Sequence, residues 1–309
     1  MVDKSRRIFI EGNINPKNLT MYNMYKGYNE LKGLSNKTIK SYEYDLFQWF
    51  KYLNSFQEDK LYYEVTEEDI EEFLMYCKIN GNEVSRIQRR CAAISSFYIF
   101  LRRKKRVDNN PLEFIERPRK KMFVRNKHFL KLEQVNEMKS SLCLLEDIVA
   151  QTFVLLAINT AARNNALRNI KWQDIDWEER EIQVIEKGPK LVTLYFSEDM
   201  KRQLLKLKEY HKQLRIDIPH IFITKYRGQY KHCGKNMPGE WVKRAGELIG
   251  IKDLTPHSLR RTAATLLYHN EVDIFNISQI LNHNNIATTQ IYLQVNARKL
   301  KELKDSVNI

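Results

Sequence analysis

The chain has 309 residues and a formal charge of +14, from 52 Lys/Arg against 38 Asp/Glu, with 43% hydrophobic and 29% charged residues. This length excludes a peptide hormone or a disulfide-stapled mini-domain and favours two ordinary cores over one, and the composition excludes a disordered chain. The positive surplus asks for an anionic partner, nucleic acid before an acidic membrane surface, with a solvated basic surface as the plain alternative.

Cys77, Cys91, Cys143 and Cys233 are scattered, with no C-x-x-C pair. That spacing suits neither zinc nor a disulfide framework and points to a cytoplasmic protein. Met1 to Ile10 has no sustained apolar stretch, so no secretory signal is expected. The apolar run Ile148 to Ile158 is too short for a bilayer and contains Gln151, so it reads as a buried core helix. No basic amphipathic helix stands out, and no membrane partner is expected.

In chain order, a first helix is predicted near Tyr22 to Leu31. Ile39, Tyr42, Leu46, Trp49, Phe50 and Leu53 recur at helical steps, with Ser35 as the N-cap. Thr66-Glu67-Glu68-Asp69 resembles a capping box with Asp in place of Glu or Gln, opening a helix from Ile70 to Ile79 that Gly81 ends. Another helix runs from about Glu83 to Arg103. Together these predict an all-helical N-terminal domain over residues 1–112.

Between Arg102 and Lys127 there are eleven Lys/Arg against Asp108, Glu113 and Glu116, a local balance of +8 in 26 residues. With Pro111 and Pro118 in it, the stretch reads as interdomain linker, placed at 113–127. Arg102, Arg103, Lys104, Lys105, Arg106, Arg119, Lys120 and Lys121 are the candidate contacts to a DNA backbone, because each phosphate neutralised releases counterions. A solvated charge run or a localisation signal is the other reading.

Residues 128–309 form the second predicted domain, a mixed one. Leu144 to Thr160 is predicted as a core helix. Glu181 to Ile185 and Leu191 to Phe196 are strands of a hairpin, with Glu186-Lys187-Gly188-Pro189-Lys190 as its turn. A helix over Ser197 to Leu214 and a short strand over His220 to Thr224 follow. Further helices are expected at about Asn236 to Ile249, Pro256 to Tyr268, Asp273 to Leu281, Ala287 to Leu293 and Ala297 to Lys304. The fold class is therefore mainly α (α+β): a helical domain, then a mostly helical domain with a small antiparallel sheet.

Several chemistries lack their motifs. There is no G-x-x-x-x-G-K-[ST] for a P-loop and no H-E-x-x-H, and the acids do not gather at two-metal spacing. Neither a metal nor another cofactor is called for. What remains is an ordered set of cations, imidazoles and one tyrosine. Thr160-Ala161-Ala162-Arg163 ends the core helix, and Lys187 and Lys190 lie in the hairpin turn. Pro256-His257-Ser258-Leu259-Arg260 opens a helix, and Leu281-Asn282-His283 precedes Tyr292 by nine residues from His283. Each member alone is ordinary: a surface arginine, exposed turn lysines, a core histidine, one tyrosine among 16.

In order and spacing, however, the set resembles the tyrosine recombinase (phage integrase) family, in its simple two-domain, Xer-like form. Arg163 matches the first arginine, Lys187 the hairpin lysine, His257 and Arg260 the H-x-x-R pair, His283 the histidine of L-G-H, and Tyr292 the nucleophile. The resemblance covers nearly the whole chain, the helical N-terminal part being similar to the family's core-binding (SAM-like) domain. The chain departs from the pattern at Ala161 and Asn282, where the family carries glycine. It also departs at Asn165 and Ala166, where the family carries Ser-Glu.

The resemblance implies a site-specific recombinase that cleaves and rejoins duplex DNA through a 3′-phosphotyrosine, for a mobile element or for replicon dimers. It implies inverted-repeat core sites, a tetramer on DNA, and room for an accessory DNA-bending or directionality protein. With a helical domain predicted to start near residue 20, no extra arm-binding domain is expected, which favours the simpler kind. The family often docks a terminal helix into a neighbouring protomer, and the amphipathic Ala297 to Ile309, with Leu300 and Leu303 on one side, fits that as well as packing on its own domain.

The chemistry is consistent with these residue types. Arginines stay charged and match phosphate geometry, and tyrosine, with a pKa of about 10, leaves more readily than an alkyl alcohol, so no ATP is needed. Lys187 would protonate the leaving 5′ oxygen, with Lys190 as the alternative. His257 would accept a proton or orient the reacting groups, and His283 would support by hydrogen bonding. A type IB topoisomerase-like enzyme and a non-catalytic DNA-binding protein of the same fold are the competing readings.

Overall fold

The computed structural model describes residues 10–119, 129–186 and 190–282. The chain divides into two compact units, Met1–Phe123 and Val124–Ile309.

The N-terminal unit is four helices, α1 (Pro16–Leu31), α2 (Asn36–Phe56), α3 (Glu67–Ile79) and α4 (Val84–Arg103). α1 starts earlier than the apolar spacing suggests, because Asn15 caps it and Pro16 supplies a preset first turn. Ser35 caps α2 through the Thr38 amide, and Thr66 and Asp69 form the reciprocal capping box of α3. Past α3, Gly81 takes φ +78, a conformation glycine adopts without cost. Trp49, Phe50, Phe73, Phe97 and Tyr98 are fully buried in one aromatic core, where Phe50 meets Phe97 edge-on at 5.6 Å.

Arg102 and Arg103 lie in the last turn of α4, with Lys104 as its C-cap. Leu112 and Ile115 then bury in the same aromatic core, and Gln88 donates to the Pro118 carbonyl at 2.7 Å. The basic stretch is thus packed on the N-terminal unit as far as Pro118.

The C-terminal unit contains α5 (Leu132–Ser141), α6 (Ile148–Thr160), the short α7 (Asn164–Arg168), β1 (Ile175–Asp176), β2 (Glu181–Glu186), β3 (Lys190–Tyr195) and α8 (Glu198–Gln213). After these come β4 (Ile223–Tyr226), β5 (Gln229–His232), α9 (Met237–Glu247), α10 (Pro256–His269) and α11 (Ile274–Ile280). β1, β2 and β3 form an antiparallel sheet in that order, with Ile182 opposite Leu194 and Val184 opposite Val192. α6 is the central helix, and α8, α9 and α10 pack on it.

The expected helix from Leu144 begins only at Ile148. A 3-10 turn covers Leu142–Leu145, Glu146 is left-handed at φ +49, and the Asp147 carboxylate accepts from the Val149 and Ala150 amides at 3.1 and 3.0 Å. The adjacent acids Glu146-Asp147 mark the break, Asp147 being the N-cap that precedes the apolar run. The expected strand from His220 is likewise displaced: Ile223–Tyr226 pairs with Gln229–His232 across a two-residue turn. Arg227 and Gly228 both have positive φ, +50 and +82, as a type I′ turn requires. Glu186 and Lys190, expected in the turn, are the last paired rung of the β2–β3 ladder. The helices expected at 287–293 and 297–304 lie outside the described residues. No helix among the described residues is long and apolar enough to cross a membrane.

A buried ion cluster ties α2 to α4. The Asp45 carboxylate is fully buried, accepts from Arg89 at 2.6 and 3.0 Å, and lies 3.9 Å from the buried Arg90. Replacing Asp45 by Ala leaves Arg90 without its anion. Denaturant unfolding of the Asp45→Ala variant is expected to show a loss of about 3–5 kcal/mol; a loss below about 1 kcal/mol would show the cluster to be dispensable.

Candidate active site

The site grows from the ends of two helices. α6 stops at Thr160, and its C-cap Ala161 is left-handed at φ +52. Arg163 follows as the residue that starts α7. α11 stops at Ile280, Leu281 is its C-cap, and Asn282 is left-handed at φ +49. Helix C-termini present carbonyls without intrahelical donors and a partial negative charge, so they attract cations.

Two arginines occupy them. Arg260, from α10, donates through Nη1 to the Ala161 carbonyl at 2.9 Å and through Nη2 to the Leu281 carbonyl. Arg163 donates through Nη2 to the Asn282 carbonyl at 3.2 Å, and its Nη1 pairs with the Glu186 carboxylate. The Arg260 side chain is buried, whereas that of Arg163 is 41% exposed. Behind them a separate small core of Ala161, Ala263, Ala264, Ile277 and Leu281 holds α10 and α11 against the end of α6. The alanines admit the close approach that lets one guanidinium reach both helix ends.

His257 is exposed in the first turn of α10, on the same face as Arg260 one turn later. That turn is fixed by Thr255, whose hydroxyl accepts from the Ser258 amide at 3.1 Å. Amides at such a helix start favour an anion. Lys190 opens β3 and is exposed. Lys187, His283 and Tyr292 lie outside the described residues, as do Lys120 and Lys121. Arg102, Arg103, Lys104, Lys105, Arg106 and Arg119 are all exposed on the N-terminal unit; Arg102 sits 3.4 Å from Glu113, and Arg103 donates to the Tyr28 hydroxyl at 2.7 Å.

The structure therefore brings Arg163 and Arg260 together and places His257 on the helix that carries Arg260. It adds Glu186, which the sequence reading assigned to a turn. The available signal was its place in the strand: Ile182, Val184 and Glu186 share one face of β2, so an acid continues an inward-facing apolar row. Ala161 and Asn282, the two departures from glycine, both hold the left-handed backbone that glycine would take without cost, which explains why small or amide-bearing residues stand there.

Residues 128–299 match the Phage integrase family, and residues 25–105 match the Phage integrase N-terminal SAM-like domain. The chain belongs to the phage integrase family. This integrase-family chain is 30% identical over 298 residues to the tyrosine recombinase XerC of Caldanaerobacter subterraneus subsp. tengcongensis, over 89% of this chain and 82% of the relative. It is a tyrosine-type site-specific recombinase; topoisomerase-like and non-catalytic readings are not favoured by such relatives.

Its fold is shared with the XerH site-specific recombinase bound to palindromic difH substrate in a post-cleavage complex, at TM-score 0.71 and 16% identity, over 98% of this chain and 100% of that one. It is also shared with a lambda integrase tetramer bound to a Holliday junction, at TM-score 0.67 and 16% identity, over 86% and 77% of the two chains.

The left-handed turn at Asn282 gives a direct test of this geometry. Asn282→Gly should melt like the wild type. Asn282→Val forces a β-branched residue into the same backbone and should lower stability by about 1–2 kcal/mol in denaturant titration. Equal stabilities for the two variants would refute the left-handed assignment.

Proposed function

We propose that this recombinase breaks and rejoins duplex DNA in the cytoplasm, with Tyr292 as nucleophile and Arg163, Arg260, Lys187, His257 and His283 as its catalytic partners. The observation that carries this reading is the seating of Arg163 and Arg260 on the adjoining ends of α6 and α11, beside a capped helix start that exposes His257.

A phosphodiester under attack gathers negative charge on its non-bridging oxygens, and cations already fixed in place stabilise that charge without reorganising. Arg260 cannot swing, because both terminal nitrogens are engaged with carbonyls and its side chain is buried. Arg163 keeps an exposed edge for phosphate. The Tyr292 hydroxyl attacks phosphorus, the bond to the 5′ oxygen breaks, and Lys187 gives that oxygen its proton. His257 takes the tyrosine proton or orients the phosphate, and His283 adds a hydrogen bond. The phosphotyrosine keeps the bond energy, so a 5′ hydroxyl from a second strand reverses the step without ATP.

Affinity is assigned to the phosphate backbone. The exposed Arg102 to Arg106 run, Arg119, Lys120 and Lys121 serve it, and a smaller number of base contacts choose the site. Exchange between two sites requires four active centres, so a tetramer on paired inverted-repeat sites is the assembly proposed, with an accessory DNA-bending or directionality protein as a further partner. Residues 1–112 are assigned to core DNA binding, 113–127 to the basic connection and 128–309 to catalysis. Integration or excision of a mobile element and resolution of replicon dimers use this same chemistry.

A nicked suicide duplex carrying the site should trap the wild type as a detergent-resistant adduct, and Tyr292→Phe should give none. An equal adduct from Tyr292→Phe would show that another residue is the nucleophile. Binding to duplex DNA should fall about 10³- to 10⁵-fold between 50 and 200 mM salt if six to ten phosphates are engaged, and Lys104→Ala and Lys105→Ala should each reduce the log–log slope by about one. A salt-independent affinity would remove the electrostatic basis of this binding mode.

A further inference from the structure

We propose that Glu186 is the positioning residue of Arg163: its buried carboxylate fixes the guanidinium in the orientation in which it meets the scissile phosphate. The inference rests on the recombinase chemistry proposed above and deepens it.

Glu186 occupies the third inward position of β2, after Ile182 and Val184, and its side chain is only 4% exposed. An ionised carboxylate in such a place is strongly disfavoured unless a cation meets it. Lys190 lies directly across the ladder and is exposed, yet the carboxylate pairs with Arg163. One oxygen, Oε2, makes that ion pair; the other, Oε1, is buried with no hydrogen-bond partner among the described residues. Among the described residues, the Glu186 side chain is therefore tied to Arg163 alone and is not one node of a wider polar network.

Arg163 needs such a partner. Its side chain is long and 41% exposed, and free rotamers would scatter its charge. Ala166, one turn further along α7, is apolar and buried and offers it no polar group. With Nη1 on Glu186 and Nη2 on the Asn282 carbonyl, two anchors define the plane of the guanidinium. The same contact joins the end of β2, the residue before Lys187 in sequence, to the start of α7. One carboxylate thus sets an arginine and the strand end that leads to the candidate general acid.

The test uses the full chain, duplex DNA and the suicide substrate in single-turnover conditions. Glu186→Gln keeps the size and one acceptor while removing the charge, Glu186→Asp shortens the reach, and Glu186→Ala removes the group. DNA affinity and melting temperature should stay near wild type for the Gln and Asp variants. The rate of adduct formation at saturating enzyme should fall about tenfold for Gln and about a hundredfold for Ala, with Asp between Gln and wild type.

Wild-type rates for both Gln and Ala would overturn the role. So would rates that fall only in step with melting temperature or DNA affinity, since that marks a merely structural ion pair. A wild type that forms no adduct at all would instead overturn the recombinase chemistry, and the two failures are told apart by that control.

Discussion

Two guanidinium groups seated on helix-terminal carbonyls hold the functional face of the C-terminal unit together. A buried arginine is unfavourable on its own, and Arg260 is 4% exposed. Its cost is offset because α6 and α11 end at the same place, each presenting a carbonyl that its own helix leaves unpaired. The relation runs in both directions: the arginine satisfies the helix ends, and the helix ends fix the arginine. The small alanine-lined core behind it exists to bring those ends within one guanidinium of each other. Arg163 and Glu186 extend the arrangement outward to the partly exposed edge where the proposed function puts the phosphate.

The N-terminal unit answers a different demand with the same physics. Its core is aromatic, with Trp49, Phe50, Phe97 and Tyr98 at its centre. Large flat side chains let a small helical unit bury area with few residues. Its basic charge is placed at the C-terminal end of α4, where cations interact favourably with the helix dipole. Arg102, Arg103 and Lys104, three of the residues assigned to phosphate contacts, therefore also suit the helix end that carries them.

Much of this was legible in the sequence where local chemistry decides the outcome. Ser35, the Thr66–Asp69 capping box and Gly81 mark helix limits because the cap is a short-range interaction. Spacing singles out Arg163, His257 and Arg260 as candidates, although nothing in it shows that Arg260 is buried and Arg163 is not. Other features were hidden for definite reasons. Glu146-Asp147 breaks the apolar pattern for only two residues between Leu145 and Ile148, and a helical pattern drawn straight through from Leu144 passes over the left-handed turn at Glu146 and the Asp147 cap. The β4–β5 hairpin turns through Arg227-Gly228, and arginine is not a usual marker of a left-handed turn position. Glu186 read as a turn residue because its partner, Arg163, lies 23 positions away and is met only in three dimensions.

The cradle of the two arginines also has a history within each molecule. The Arg260–Ala161 bond links residues 99 apart, and the Arg163–Asn282 bond links residues 119 apart. Contacts of such long reach form late, after the chain between them has been ordered, and an N-terminal unit folds first as synthesis proceeds. A growing polypeptide thus presents its basic helical unit well before Asn282 has left the ribosome. During that interval the cradle cannot assemble, because the Leu281 and Asn282 carbonyls that seat Arg260 and Arg163 are not yet in place; on the function proposed above, a product ending before α11 would keep its basic helical unit and lack the seat of both arginines.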